Sequence, residues 1–228
     1  MTKYIENETF LDHVEIDSDT VVQFCTFHAG ATLRGDNILF RLNNINDSEF
    51  AITIFGQHNY VLFNRINGFY GDGIRILNSF NTVNDNRIEQ SYLGNPENHN
   101  DGIQIWNHTD KYDVTDLTIK RNRLVLSESD VSTQGIIATD CSVSNSVIKG
   151  NLIDVSHWHG ITLNESYSNE ITWNVITNSL GDQAREPWIK LLTDDGTTQI
   201  NNNIVSSVIP EELSPDNRAV KGDWDLSI

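Results

Sequence analysis

Arg75, Lys190 and Lys221 each occupy the same place in a short pattern, x-Gly-Ile-x-Ile, that recurs along the chain. Its best copies are Asp72-Gly73-Ile74-Arg75-Ile76, Asn100-Asp101-Gly102-Ile103-Gln104-Ile105, Gln134-Gly135-Ile136-Ile137-Ala138, His159-Gly160-Ile161-Thr162-Leu163 and Trp188-Ile189-Lys190-Leu191, with a fainter one at Arg218-Ala219-Val220-Lys221. If each copy is a strand, alternation of side chains puts Ile74, Ile103, Ile136, Ile161 and Ile189 inside and Arg75, Gln104, Ile137, Thr162, Lys190 and Lys221 outside in one row. Basic groups gathered on one row of a chain with net charge -17 suggest a grip on an anion. Two clusters, His99-Asn100-Asp101 and His157-Trp158-His159, enter the pattern at the same turn. His, Asp and Lys converging on one face is what general acid and base catalysis requires, and Trp106 and Trp158 offer flat faces for sugar rings.

The elements that must position these residues follow from a second recurring column. Asn43, Asn64, Asn86, Asn122, Asn151, Asn174 and Asn203 are each followed by one residue and then Ile, Leu or Val, at spacings of 21 to 36 residues. The intervening segments alternate in the manner of short strands rich in Ile, Val, Thr and Phe, with no helical period. Asn suits a tight corner because it tolerates left-handed backbone, and stacked amides can bond to one another along an axis. These two columns resemble the right-handed parallel β-helix of the pectate-lyase-like superfamily over residues 20 to 222. The resemblance implies an all-β fold of seven to eight coils with an Asn ladder and a substrate groove on the outer face of the x-Gly-Ile-x-Ile strand. Residues 1–20 are expected to cap the open end, 20–222 to form the coils and 223–228 to be a tail, in one domain. Gly73, Gly102, Gly135 and Gly160 are expected to face outward and leave the groove floor bare, with Leu77, Trp106, Thr139 and Asn164 along its other side. The outward row Arg65, Arg87 and Arg123, with Asp85 and Glu89 near in sequence, reads as structural ion pairing.

Composition excludes several classes. An acidic chain without clustered Lys and Arg argues against nucleic acid and an anionic membrane surface. Cys25 and Cys141 are in no metal-ligand spacing, and no apolar run approaches transmembrane length. The N-terminus shows no apolar signal region, so the extracellular or periplasmic location expected of such an enzyme rests on the resemblance, with a viral origin as the alternative.

Within the superfamily, the chain shares part of the polygalacturonase signature at Asn100-Asp101-Gly102, His159-Gly160 and Ile189-Lys190. It departs at Gln134-Gly135, where a hydrolase of that family carries paired carboxylates. A hydrolase needs a second carboxyl group, so hydrolysis is placed behind β-elimination. The resemblance therefore points to an alginate-type lyase acting on an acidic, uronate-containing polysaccharide, as a monomer and without a cofactor. Lys190 or Lys221 would be the base, Lys221 or Arg185 would neutralise the carboxylate, and His159 or Tyr92 would protonate the leaving oxygen. Arg75, His99, Asn100, Asp101, Gln104, Trp106, His157, Trp158, Thr162 and Asn164 would bind substrate. A Ca2+ ion shared by Asp72 and Asp101 is a further alternative, as are a uronate C5-epimerase and a non-catalytic, tailspike-like carbohydrate-binding module.

Overall fold

A computed structural model describes residues 1–92, 100–107, 113–129, 131–181, 185–209 and 218–219. The apolar residues spaced along the sequence meet in the axis of a parallel β-helix. Each turn contributes a strand to a nine-stranded sheet running from Lys3–Glu6 through Tyr60–Leu62 and Thr82–Asn84 to Gln199–Asn201. After a corner, the chain enters a second sheet, and after a bend a third, which carries the x-Gly-Ile-x-Ile pattern. Long strands such as Arg65–Ile76 serve both of these sheets in one run. Pairing is parallel from turn to turn, as in Tyr60↔Thr82 and Arg65↔Arg87. Inward residues of every strand fill the core: Val61, Val83 and Ile119 in the ladder sheet, Ile66, Ile88 and Leu124 in the next, and Ile74, Ile103 and Ile136 in the third, all inaccessible to solvent. Each such side chain contributes roughly 1.5–3 kcal/mol of burial.

The asparagine column is a continuous hydrogen-bonded ladder. Asn64 Nδ2 donates to Asn86 Oδ1 at 3.0 Å, Asn86 to Asn122 at 3.0 Å, Asn122 to Asn151 at 3.1 Å and Asn151 to Asn174 at 2.9 Å. Each accepting oxygen also takes the backbone N–H of the preceding asparagine, and each Nδ2 donates to a backbone carbonyl, Val83 O in the case of Asn122. The left-handed corner belongs to the residue before the asparagine rather than to the asparagine: Leu42, Phe63, Asp85, Arg121, Trp173 and Asn202 have φ between 53° and 62°. The asparagine is needed for its amide, which satisfies a buried corner that no sheet bond reaches. A second, mixed ladder at the other end of the same strands joins Ile38 N to Asn59, Asn59 N to Asn81, Leu117 N to Ser146 and Ser146 N to Asn169.

The first twenty residues do more than cap. Lys3–Glu6, Thr9–Phe10 and Val14–Ile16 pair in register with Thr20–Gln23, Thr26–Phe27 and Ala31–Leu33, so they form a turn of the coil. Nine turns in the ladder sheet thus replace the expected seven or eight. At the other end, Arg218–Ala219 pairs with Ile204–Val205, the strand after the ladder, while Ser207–Ile209 pairs with Trp188–Lys190. The Arg218 segment is therefore no copy of the x-Gly-Ile-x-Ile strand. Residues 220–228, Lys221 among them, lie outside the described residues.

Asn122→Ala would take from the Asn86 N–H and the Val83 carbonyl their bonds to the ladder, leaving the Asn86 amide only Val61 O as acceptor. At roughly 1–3 kcal/mol for each orphaned group, the expected loss is about 3 kcal/mol or more, read as a lower urea midpoint. Trp173→Asn, at φ 62° and 59% exposed, should instead raise stability by up to about 1 kcal/mol and the midpoint with it, because Asn accepts this backbone conformation with less strain.

Candidate active site

The predicted outward row exists. Arg75 pairs with Gln104, Gln104 with Ile137, Ile137 with Thr162 and Thr162 with Lys190, and earlier turns add Thr53 and Thr32. Beyond Lys190 the strand register continues to Ile209. Among the described residues Lys190 and Arg75 are the row's cations, separated by Thr162, Ile137 and Gln104. A second row, three residues back, carries more chemistry: Phe50 pairs with Asp72, Asp72 with Asp101 and Asp101 with Gln134.

The glycines between these rows do not form the groove floor. A Cβ at Gly73 would lie 2.9 Å from Ile88 Cγ2, and one at Gly102 would lie 2.5 Å from Leu124 Cδ2. They face the core side chains of the neighbouring sheet, where the chain bends too tightly for any side chain. That bend turns Asp72 and Asp101 toward the groove.

A cavity of about 450 Å³ opens there, lined by Asp72, Arg75, Asp101, Gln104, Gln134 and Asp140 and, at one end, by His157 and His159. Asp72 and Asp101 are each 2% exposed. Asp72 is held on both oxygens: Arg75 Nε donates to Oδ2 at 2.5 Å and the Asp101 N–H to Oδ1 at 3.2 Å. Arg75 is fixed in turn over the Phe50 ring at 3.6 Å, with Trp106 at 5.9 Å. Asp101 has weaker support, one bond from Gln104 Nε2 to Oδ2 at 3.4 Å, and its Oδ1 is buried with no partner among the described residues. Burial, and then the Asp72 charge beside it, push the Asp101 carboxyl well above the ordinary carboxylate range. Burial also raises Asp72, against the opposing pull of Arg75. A proton on this carboxyl removes the buried charge, to which Gln104 alone donates among the described residues. Asp140 is exposed on the far side of the cavity, and its charge raises Asp101 further. It stands where the register of Thr133–Ser144 against the next strand shifts between Ala138 and Ser142. Such an irregularity re-aims a side chain that regular alternation would place elsewhere.

Aromatic side chains extend the groove beyond the cavity. The rings of His157 and His159 stack with centroids 4.9 Å apart, Trp158 stacks on Trp188 at 5.9 Å, and Lys190 Nζ lies 5.3 Å from the Trp188 centroid. His159 Nδ1 shares a 2.8 Å hydrogen bond with the buried Thr162 hydroxyl, so Thr162 orients His159 from below and does not face the groove itself. Lys190 has no carboxylate partner among the described residues.

Several expected site residues stand elsewhere. Asn100 is buried and donates to Ser91 Oγ and Tyr92 O, a structural role. Tyr92 packs near Tyr70 and bonds Gln90, outside the cavity lining, and Arg185 bonds Ser132 at 3.2 Å, also outside it. Asn164 is half-buried and takes no part in the cavity wall. His99 and Lys221 lie outside the described residues. In the expected ion-pair row, Arg65 and Arg87 pair with Glu89, whereas Asp85 pairs with Arg121 and no ion pair of Arg123 occurs among the described residues. For Ca2+, the Asp72 oxygens are already engaged by Arg75 and the Asp101 amide, donors that a cation would have to displace. Among the described residues no group of three or more His, Cys, Asp or Glu is arranged to hold a metal ion.

No protein-family model matches the chain, and no curated protein resembles it in sequence. Among solved structures it is similar to the Dettilon tailspike protein (gp208), at 15% identity and a TM-score of 0.31, over 96% of this chain. The chain spans 62% of the length of that structure. No described helix is long and apolar enough to cross a membrane.

The raised carboxyls fix the sign of a pH effect. The folded state holds a proton on Asp101 that the unfolded chain releases, so this contribution to stability is complete below the unfolded carboxylate pKa and is lost as pH rises through the folded one. Asp101→Asn should therefore be more stable than the parent at neutral pH and show a flatter stability profile above the ordinary carboxylate range. Denaturant midpoints at those pH values would check it, and an unchanged slope would remove Asp101 as the proton holder.

Proposed function

We propose that the groove binds a glycan and hydrolyses it, with Asp101 as general acid and Asp140 as the carboxylate that activates water or meets the anomeric carbon. The observation that carries this is Asp101, buried at the wall of an open cavity with one carboxyl oxygen unpartnered among the described residues, beside a carboxylate locked by an arginine. Glycoside hydrolysis needs two carboxyl groups in different protonation states, and environment alone can separate them. The absence of carboxylates at Gln134-Gly135 ceases to be an objection, because the second and third carboxyls come from the turn before and from the shifted segment at Asp140. Asp72 acts as a positioning residue: its charge keeps the proton on Asp101. Trp158, His157 and His159 provide flat surfaces on which a sugar ring can lie. Three carboxyl groups in a chain of net charge -17 favour a neutral glycan over an acidic one.

A second function has one observation in its favour. Lys190 is a groove cation without a carboxylate partner among the described residues, and its row neighbour Thr162 is bonded to His159. Lys190 as base and His159 as proton donor would suit β-elimination of a uronate polymer. Formation of an unsaturated product, detected by ultraviolet absorbance and lost in Lys190→Ala, would favour elimination; new reducing ends without that absorbance favour hydrolysis.

For the hydrolase, Asp101→Asn should lower kcat by about 10²–10⁴-fold with little change in KM. A pure binding module would show no turnover to lose with any glycan in a broad panel. Activity should fall on the alkaline side as Asp101 loses its proton. Asp72→Asn removes the neighbouring charge and frees Arg75, both of which lower the Asp101 pKa, so the alkaline limb should move to lower pH. A limb that stays in place would show that Asp72 does not set it.

A further inference from the structure

Toward the N-terminal turns the groove continues into a second cavity of about 490 Å³ that hydrolysis at Asp101 does not use. Arg75 and Phe50 belong to both cavities, so the guanidinium stacked on Phe50 is the partition between them. The walls of the second are Phe50, Phe55, Leu77 and Trp106, contributed by successive turns. Its polar groups are partly engaged. His13 Nδ1 lies 3.0 Å from Ala29 O, an acceptor, so this nitrogen carries the proton; His13 Nε2 lies 2.8 Å from Thr32 Oγ1. Both ring nitrogens are thereby engaged. Arg75 gives its Nε to Asp72, and Glu49 and Thr53 complete the polar part of the lining.

A sugar entering this cavity would surrender the hydration of any hydroxyl turned to the aromatic walls and regain little of it. A methyl group in that position would lose nothing and would gain contact with three rings. We propose that the second cavity is a glycosyl subsite selective for a deoxy sugar, a ring that presents a methyl in place of a hydroxymethyl group to Phe50, Phe55 and Trp106. This rests on the glycan reading of the neighbouring cavity, with which it is continuous, and it adds a chemical class of substrate: a polymer carrying a deoxy sugar one position from the bond that is cut.

The test uses matched small probes, methyl fucoside against methyl galactoside and methyl rhamnoside against methyl mannoside, with saturation-transfer NMR on the full chain. Saturation of the deoxy-sugar methyl protons is expected for at least one pair, with its hydroxylated counterpart bound about 10-fold or more weakly. Trp106→Ala should abolish the signal. Ala29→Trp, which fills the cavity from a half-buried position, should do the same, and circular dichroism would confirm that both variants keep the β-helix. Equal signals within both pairs, or a deoxy signal that survives Trp106→Ala and Ala29→Trp, would overturn the proposal. The same measurement on Asp101→Asn separates the two claims, since that variant should bind the deoxy probe like the parent. Selective binding in a protein whose turnover is indifferent to Asp101→Asn would keep the subsite and remove the hydrolase. Loss of turnover in Asp101→Asn with no discrimination between the paired sugars would do the reverse.

Discussion

Everything in this structure depends on turns being stacked in strict register at the strand spacing of roughly 4.7–4.9 Å. The asparagine ladder enforces it, because an amide can accept from the turn before and donate to the turn after only when the corners are directly superimposed. Register makes rows of side chains, and rows force residues of similar character close together. Asp72 and Asp101 occupy equivalent places in successive turns, so their carboxyl groups are neighbours whatever their preference. In solvent the charges would separate. Here the backbone forbids it, and the relief is chemical: one carboxyl takes an arginine and the other is driven toward holding a proton.

The same constraint disposes of charge elsewhere without producing a site. Arg65 and Arg87 are also stacked in register, yet both are about half exposed or more and share Glu89. Water and a common counter-ion relieve their repulsion, and exposed pairs of this kind contribute little to stability. What separates the two stacks is burial. Asp72 and Asp101 line the cavity beside Gly73 and Gly102, where the backbone closes on the core of the adjacent sheet. The glycines therefore matter to chemistry indirectly, by letting the backbone approach closely enough to bury the residue before them.

How far the sequence revealed this can be judged residue by residue. The fold was legible because a seven-fold Asn column and a parallel Gly-Ile column cannot both be satisfied by any other simple stack. The outward row from Arg75 to Lys190 was legible for the same reason, since alternation has a fixed period. The repeated Asp-Gly-Ile at Asp72 and Asp101 was visible too, but as ligands for an ion rather than as an acid pair. Its chemistry depends on Arg75 reaching back three residues to claim one partner, which spacing alone does not say. The left-handed corner was assigned to the asparagines by propensity and belongs to residues as unsuited to it as Phe63 and Trp173, because the amide had to be kept for the ladder. Lys221 was placed on the groove by a faint pattern match, although the strand that pairs with Trp188–Lys190 is Ser207–Ile209.

Asp140 was invisible to sequence, and the reason bears on the site as a whole. Register shifts interrupt the stacked pairing between Phe69 and Asp72, between Ala138 and Ser142, and between His159 and Ile161. Each flanks or contains a residue that lines the acid cavity: Asp72, Asp140 and His159. A perfectly regular coil presents identical rows and therefore a uniform surface, on which no group differs from its neighbour above. Catalysis needs the opposite, unlike groups converging on one point from different directions. A β-helix can obtain that only by breaking its own period locally, and the break must be small enough for the ladder on the far side of the turn to continue unbroken from Asn43 to Asn203. The regular side of each turn supplies the stability, and the irregular side is thereby free to be shaped for chemistry.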